Sequence, residues 1–208
     1  MMMALVEAMR RDWLELLAVA FGIISVYLSV RQNIWSWPTA IVNVLLYVFV
    51  FRQARLYSDM GLQVVYAILS IYGWYEWLYG GRDRTMLRVS RWSTRAVAPL
   101  LLLAALGTWQ LGRQFAMRTD AALPYLDAGL TMTSLVAQYL MTRKVLENWI
   151  IWIAVDVVYV GMFIYKGLRP TAALYSVFLV LAALGYARWK RSYEGDLHMV
   201  TRGLVPSA

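Results

Sequence analysis

The sequence contains two copies of one pattern, and a single constant offset aligns them without a gap. The coinciding positions are mainly aromatic, glycine and charged: Tyr27 with Tyr139, Arg31 with Arg143, Trp37 with Trp149, Tyr47 with Tyr159, Gly73 with Gly185, and Trp77 with Trp189. Each copy is too short to enclose a site alone, and many transporters build a site at the membrane midplane from two such repeats. The repeat therefore predicts a two-unit fold.

The composition indicates that these repeats lie in a lipid bilayer. Hydrophobic residues make up 61% of the 208 residues and charged residues only 15%, whereas a soluble domain carries about 25% charged residues. The net charge of +8 comes from basic residues between the apolar runs, where they meet anionic lipid headgroups. We therefore expect membrane lipid as a partner and exclude nucleic acid.

Seven apolar runs are close to the length of about 20 residues that a transmembrane helix needs. They span residues 13–30, 34–51, 61–80, 94–111, 124–142, 149–165 and 170–189. The fourth run has no counterpart in the repeat, and one extra helix makes the two copies run parallel. The prediction is an all-α integral membrane protein with seven transmembrane helices in a 3+1+3 parallel repeat. It consists of residues 13–80, a linker helix 94–111, residues 124–189 and a disordered tail 190–208.

The basic residues also predict an orientation. With seven spans, eight of them lie on the side of the N-terminus and twelve on the other side, five of these in the loop 80–95. Cytoplasmic loops carry an excess of Lys and Arg. The count predicts an N-terminus outside and a cytoplasmic C-terminus.

The residue types leave little room for catalysis. The chain has no cysteine and one histidine, His198, which follows the last apolar run. A thiolate or histidine metal site is thereby nearly excluded, and no phosphate-binding glycine loop or nucleophile elbow is present. We expect no catalytic residue, no metal and no cofactor.

The sixth run carries the most specific polar pattern. Trp149, Trp152, Asp156 and Tyr159 share one helical face, and the acid lies about 10 Å inside the helix at 1.5 Å per residue. A carboxylate at that depth costs roughly 2.5–3.5 kcal/mol. A cationic ligand among aromatic rings would offset this cost. The alternatives are that Asp156 only fixes helix packing and that the tryptophans are interfacial anchors.

Further candidate ligand-binding residues lie on three other runs. They are Asn43 on the second run, Gln63, Tyr66, Ser70 and Trp74 on the third, and Gln138 on the fifth. Small hydroxyl residues such as Thr131 and Ser134 are interpreted as helix contacts. Basic residues are absent from the helix interiors, which argues against a phosphorylated substrate.

Two motifs resemble the PnuC-type vitamin transporters. The first is Arg143-Lys144-x-x-Glu147-Asn148-Trp149, followed by Trp152, and the second comprises Gln63 and the stretch 72–77, Tyr-Gly-Trp-Tyr-Glu-Trp. This family is related to the SWEET sugar transporters and has the 3+1+3 plan. The resemblance implies facilitated diffusion of nicotinamide riboside across a bacterial inner (plasma) membrane, with trapping by phosphorylation. Relatives take up thiamine or riboflavin.

The resemblance also implies a homotrimer whose protomers each hold a site. It places Gln63, Asn148, Trp149, Trp152 and Asp156 at or near that site, although some relatives carry Asn at the position of Asp156. The expected ligand is thus a small aromatic cation without phosphate, with nicotinamide riboside first and thiamine second. A membrane scaffold or sensor without transport is the alternative from another functional class.

Overall fold

The computed structural model describes residues 2–53, 57–118, 123–165 and 167–201. These residues form seven α-helices, with a short 3-10 turn at Arg82–Arg84 between the third and fourth. The helices are α1 Met2–Val30, α2 Ser36–Gln53, α3 Tyr57–Tyr79, α4 Thr94–Arg118, α5 Pro124–Thr142, α6 Asn148–Tyr165 and α7 Arg169–Thr201. The all-α class is confirmed.

Four of these helices are long and apolar enough to cross a membrane, judged by length and composition. They are the α1 segment Trp13–Val30, α4, α6 and the α7 segment Arg169–Met199. Each of the seven apolar runs of the sequence coincides with one helix of the structure. Two helix starts carry residues that interrupt helices: Pro124 begins α5, and Gly167 adopts a positive φ of 73° just before α7.

The chain divides into two compact units, Met1–Met86 and Leu87–Ala208. In the first unit, α1 packs on α2 and α2 packs on α3. In the second unit, α4 packs on α5, α5 on α6, and α6 on α7. The helix without a counterpart in the repeat, α4, therefore packs within the second unit.

Two apolar clusters hold α5 in the second unit. In one, Val97 and Ala104 of α4 meet Val136 and Leu140 of α5. The other joins α5 to α6 and consists of Leu130, Val155 and Met162, with Trp152 and Tyr159 packed against it. Burying such side chains stabilises a fold by roughly 1.5–3 kcal/mol each in water. In lipid, close packing takes over that role, so α5 fixes α4 and α6 relative to each other.

The disordered tail predicted from residue 190 is wrong for residues 190–201, which continue α7. Trp189 is fully buried and anchors the helix at the point where the tail was predicted to begin. Beyond it, Lys190 and Glu194 lie one turn apart with 3.9 Å between Nζ and Oε1. Extending an existing helix avoids the cost of nucleation, so polar residues can continue it. The rest of the predicted tail lies outside the described residues.

Candidate functional site

Trp149, one of the predicted ligand-binding residues, packs α6 against α7. Its side chain is only 1% exposed, and its ring meets the Trp189 ring edge-on at 5.4 Å between centroids and 89° between planes. Gly185 lies beside the same indole, where a Cβ atom would come within 2.6 Å of Cε2. Protein atoms thus cover this ring, so its indole is placed for helix packing.

The first unit contains the same arrangement at the equivalent positions of the repeat. Trp37 of α2 meets Trp77 of α3 at 5.3 Å and 89°, and Gly73 lies against the Trp37 ring. Tyr47 stacks on Phe51 as Tyr159 stacks on Phe163. These contacts reproduce the sequence repeat at the level of side chains.

The turns before α2 and α6 also match in backbone geometry. Gln32 and Lys144 both adopt a positive φ, 55° and 53°. The amide of Arg31 donates to Tyr27 O at 3.2 Å, and the amide of Arg143 donates to Tyr139 O at the same distance. A left-handed residue at this point ends one helix and turns the chain into the next. Both turns therefore set the start of α2 and α6 in the same way.

Asn148 and Trp149, at the start of α6, each bury a polar atom with unmet hydrogen-bonding capacity. The Asn148 side chain donates through Nδ2 to Val145 O at 2.6 Å, while its Oδ1 and the indole Nε1 of Trp149 contact no partner among the described residues. The equivalent atoms of the first unit, Ser36 Oγ and Trp37 Nε1, are in the same state. Buried polar atoms without partners are rare in proteins, so the starts of α2 and α6 share an unusual unsatisfied state.

Asp156 lies further along α6 and is 4% exposed. No hydrogen-bond donor or cation contacts its carboxylate within the part of the chain that the structure describes. On the same face, Trp152 lies one turn before it and Tyr159 one turn after it; both are half-buried. Tyr159 also packs on Tyr175 at 4.6 Å between ring centroids. A buried charge is costly unless it is paired, and none of the described residues offsets that cost at Asp156.

The remaining candidates differ in how much of their hydrogen-bonding capacity is free. Asn43 donates through Nδ2 to Ala18 O at 2.6 Å, which joins α2 to α1. In the second unit, Val155 is equivalent to Asn43 and Leu130 is equivalent to Ala18. These two residues make an apolar contact between α6 and α5. Ser70 is buried and donates to Tyr66 O of its own helix at 2.8 Å. Asn43 and Ser70 are therefore committed to backbone atoms.

Four other predicted residues keep accessible surface. Gln63 and Tyr66 of α3 and Gln138 of α5 are half-buried, and Trp74 of α3 is 38% exposed. In the second unit, α6 alone brings five of the predicted residues onto adjacent turns. Gln138 lies on the neighbouring helix α5. In the first unit, α3 carries four of the predicted residues and α2 carries Asn43.

Residues 12–191 match the family profile described as "Nicotinamide mononucleotide transporter". The chain belongs to this transporter family. The family resemblance of the two motifs is thereby confirmed. Because the family consists of transporters and this chain has helices apolar enough to cross a membrane, it is a multi-pass membrane protein.

Individual members of the transporter family extend over most of the chain. The nicotinamide riboside transporter PnuC of Escherichia coli (strain K12) is 28% identical over 207 residues, covering 87% of this chain and 86% of PnuC. The riboflavin/roseoflavin transporter RibM of Streptomyces davaonensis is 26% identical over 196 residues, covering 92% and 91%. A crystal structure of the vitamin B3 transporter PnuC superposes with a TM-score of 0.69 at 23% identity, covering 92% of this chain and 86% of that one. That likeness shows a shared fold.

Two residues of the motif at Arg143–Trp149, Lys144 and Glu147, make structural contacts that the sequence pattern did not predict. Glu147 accepts a hydrogen bond from Arg91 Nε at 2.9 Å and another from the Trp92 amide at 3.1 Å. The Ser90 amide donates to Lys144 O at 3.1 Å, and the Leu146 amide donates to Ser90 O at 2.9 Å. We call residues 87–93, which lie along the turn before α6, the linker strap. The spacing of Lys and Glu around the turn was the available signal, but their partners lie more than fifty residues away.

Lys144 fastens the linker strap to the turn through its side chain. It is 5% exposed, and Nζ donates to Leu87 O at 3.0 Å. Burial lowers the pKa of Lys144 from the usual 10.5 to about 8, and the negative charge of Asp196 only partly opposes this effect. The charged form is thus disfavoured in the folded protein relative to the unfolded chain.

We expect the free energy of unfolding to rise with pH between about 8 and 10.5. Below this window both states hold the proton, and within it the folded protein has lost a proton that the unfolded chain still binds. The gain is at most about 3 kcal/mol, at 1.36 kcal/mol per pKa unit. Thermal unfolding of the purified protein at pH 7.5 and pH 10 measures it. Lys144→Met should flatten this rise, and an equally steep rise in the variant would contradict the assignment.

Proposed function

We propose that this chain carries nicotinamide riboside across a bacterial inner membrane by facilitated diffusion, with phosphorylation inside the cell trapping the product. The observation that carries the proposal is Asp156, a buried carboxylate beside Trp152 and Tyr159 without a donor or cation among the described residues. Nicotinamide riboside is a nucleoside whose pyridinium ring is positively charged. The E. coli relative is named as a transporter of this compound.

The side chains take distinct roles in this proposal. Asp156 balances the pyridinium charge, and the rings of Trp152 and Tyr159 offer cation–π contact, which is worth about 2 kcal/mol when desolvated. Gln138 and Asn148, whose Oδ1 has no partner among the described residues, supply hydrogen bonds to the amide and the ribose hydroxyls, and Gln63 stays a candidate from the family resemblance. A further group of predicted residues positions the helices instead, because backbone acceptors or packed rings already occupy them: Asn43, Ser70 and Trp149. Tyr66 and Trp74 remain candidates for ring contact from α3.

The proposed architecture is a 3+1+3 parallel repeat, with α1–α3 and α5–α7 as the copies and α4 as the linker helix. The tryptophan pairs, the glycines beside them and the matched turns support it, since each occurs at equivalent positions of both copies. Rocking of the two copies would alternate access to the site. An N-terminus outside, a cytoplasmic C-terminus and a homotrimeric assembly complete the proposal.

The substrate is proposed to be the nucleoside and not the mononucleotide that the family description names. A phosphate group is held in proteins by Arg, Lys or exposed helix N-termini. The only basic residue in α2, α3, α5 and α6 is Arg52, in the last turn of α2. The polar face around Asp156 is thus suited to a cation and would repel a phosphate.

Riboflavin replaces thiamine as the competing substrate, because RibM aligns over 92% of this chain. Riboflavin is neutral at pH 7, so it would leave the Asp156 carboxylate without a counter-charge. The two vitamins therefore differ in the feature on which the proposal depends.

Uptake into proteoliposomes separates these candidates. We expect labelled nicotinamide riboside to accumulate when the matching kinase and ATP are enclosed, and only to equilibrate without them. Unlabelled nicotinamide riboside should compete fully, whereas a hundredfold excess of nicotinamide mononucleotide or riboflavin should leave most of the uptake. Equal competition by the mononucleotide would overturn the nucleoside assignment. Absence of uptake of every compound would favour a scaffold or sensor.

A further inference from the structure

A groove of about 620 Å³ opens in the second unit where α4 and α6 begin. Its floor is apolar and its rim is polar. The floor is formed by Val97 and Leu101 of α4 with Ile150 and Ile151 of α6, and the rim by Arg91 and Glu147. Both helices are apolar enough to cross a membrane, so the groove lies where spans meet the headgroup region. The substrate roles proposed above do not use it.

On the rim of the groove, the cationic side chain is exposed and its anionic partner is mostly covered. Arg91 Nε and Glu147 Oε1 are 2.9 Å apart, but the Arg91 side chain is 53% exposed and that of Glu147 only 17%. The second oxygen of Glu147 accepts the Trp92 amide, so the carboxylate is occupied on both sides. The guanidinium still has N–H donors beyond Nε. A negative group entering the groove therefore meets Arg91 first.

The surroundings add to this positive field. Arg88 and Arg95 are exposed on either side of Arg91 in the sequence. The N-termini of α4 and α6 both open at the groove, and helix N-termini favour anions. Apolar surface continues from the floor along α4, where Leu101, Leu102 and Leu106 are all exposed. The groove thus joins an anion-attracting rim to an apolar track.

We propose that this groove binds an anionic phospholipid, with its phosphate at Arg91 and an acyl chain on the floor formed by α4 and α6. A phospholipid is the occupant whose chemistry matches both parts, because the charge and the apolar surface meet at the end of two spans. A soluble anion would leave the floor empty, and a zwitterionic lipid would bring its own cation beside the phosphate, which weakens its attraction to the positive rim. The inference is independent of which vitamin the protein carries.

Native mass spectrometry of the delipidated, detergent-purified protein tests the inference. The probes are phosphatidylglycerol and phosphatidylcholine with the same acyl chains. We expect the wild type to retain phosphatidylglycerol in clear preference, and Arg91→Gln to weaken that lipid about fivefold, since one basic residue contributes about that factor at a membrane surface. Phosphatidylcholine, whose choline cation offsets its phosphate, should lose less affinity than phosphatidylglycerol in this variant. Leu101→Trp, which fills the floor, should weaken both lipids.

Two further variants keep the test decisive. Arg113→Gln removes an exposed arginine towards the opposite end of α4 and should leave both affinities unchanged. Arg91→Lys keeps the charge and should keep the preference even if Arg91→Gln does not fold. Equal binding of the two lipids by the wild type would overturn the inference. Equal losses for both lipids in Arg91→Gln would also overturn it, as would a groove covered by a second copy of the chain.

Discussion

Asp156→Asn is expected to lower the affinity for nicotinamide riboside about tenfold to hundredfold. The change replaces a charge-assisted contact with a neutral one, and hydrogen bonds to charged groups are worth about 1.5–3 kcal/mol. The shape of the side chain and of α6 is kept. Since the carboxylate has no donor or cation among the described residues, the ligand-free variant should unfold at the same temperature as the wild type or higher. Equilibrium binding and thermal unfolding on the same preparation measure both effects.

Asp59→Asn is the matched control, because Asp59 is an exposed acid in the first turn of α3. It should change the affinity by less than twofold. Riboflavin, which carries no positive charge, should lose no affinity in Asp156→Asn. Unchanged nicotinamide riboside binding together with a lower unfolding temperature would assign Asp156 to helix packing, which is the structural alternative.

Gly185→Ala is expected to destabilise the second unit severely. A Cβ atom at this position would lie 2.6 Å from Cε2 of Trp149, and that indole is held by Trp189 and cannot move freely. Overpacking of a well-packed core costs about 1–3 kcal/mol and sometimes more. We expect a large drop in unfolding temperature or a failure to fold, measured on the protein in detergent.

Gly161→Ala provides the control for helix propensity. Gly161 lies in α6, and a Cβ atom there would meet nothing within 4 Å. Alanine is preferred over glycine within a helix by roughly 0.5–1 kcal/mol, so this variant should be as stable as the wild type or more stable. Gly73→Ala should behave like Gly185→Ala, because Trp37 occupies the equivalent position. Similar stabilities for Gly161→Ala and Gly185→Ala would contradict the contact.

The helices could be predicted from the sequence because an apolar run in lipid must satisfy its backbone hydrogen bonds internally, and a helix does so within one run. The constant offset between the two copies also identifies Trp37 as equivalent to Trp149, and Gly73 as equivalent to Gly185. Their contacts could not be predicted in detail, since a repeat shows which positions are equivalent and not which rings touch. The polar composition beyond residue 189 predicts disorder, whereas a helix can continue into water once it is anchored.

The candidate site was predictable in part. Asp156 stood out because an acid inside an apolar run needs a reason, and the structure leaves it buried. Asn43 and Ser70 looked equally suitable for a ligand, but each donates to a backbone oxygen. Sequence spacing cannot distinguish a polar side chain that is free from one that bonds to its own or a neighbouring helix. The partners of Glu147 were beyond reach for a related reason, as tertiary contact alone brings Arg91 to it.

The continuation of α7 past Trp189 has a practical consequence. Twelve further helical residues, up to Thr201, form a rod of about 18 Å at 1.5 Å per residue. A spin label at the exposed residue His198 is therefore attached to the same rigid body as the buried indole of Trp189. Changes in its distance to a second label would follow the tilt of α7 during a transport cycle, with the displacement magnified by the length of the rod.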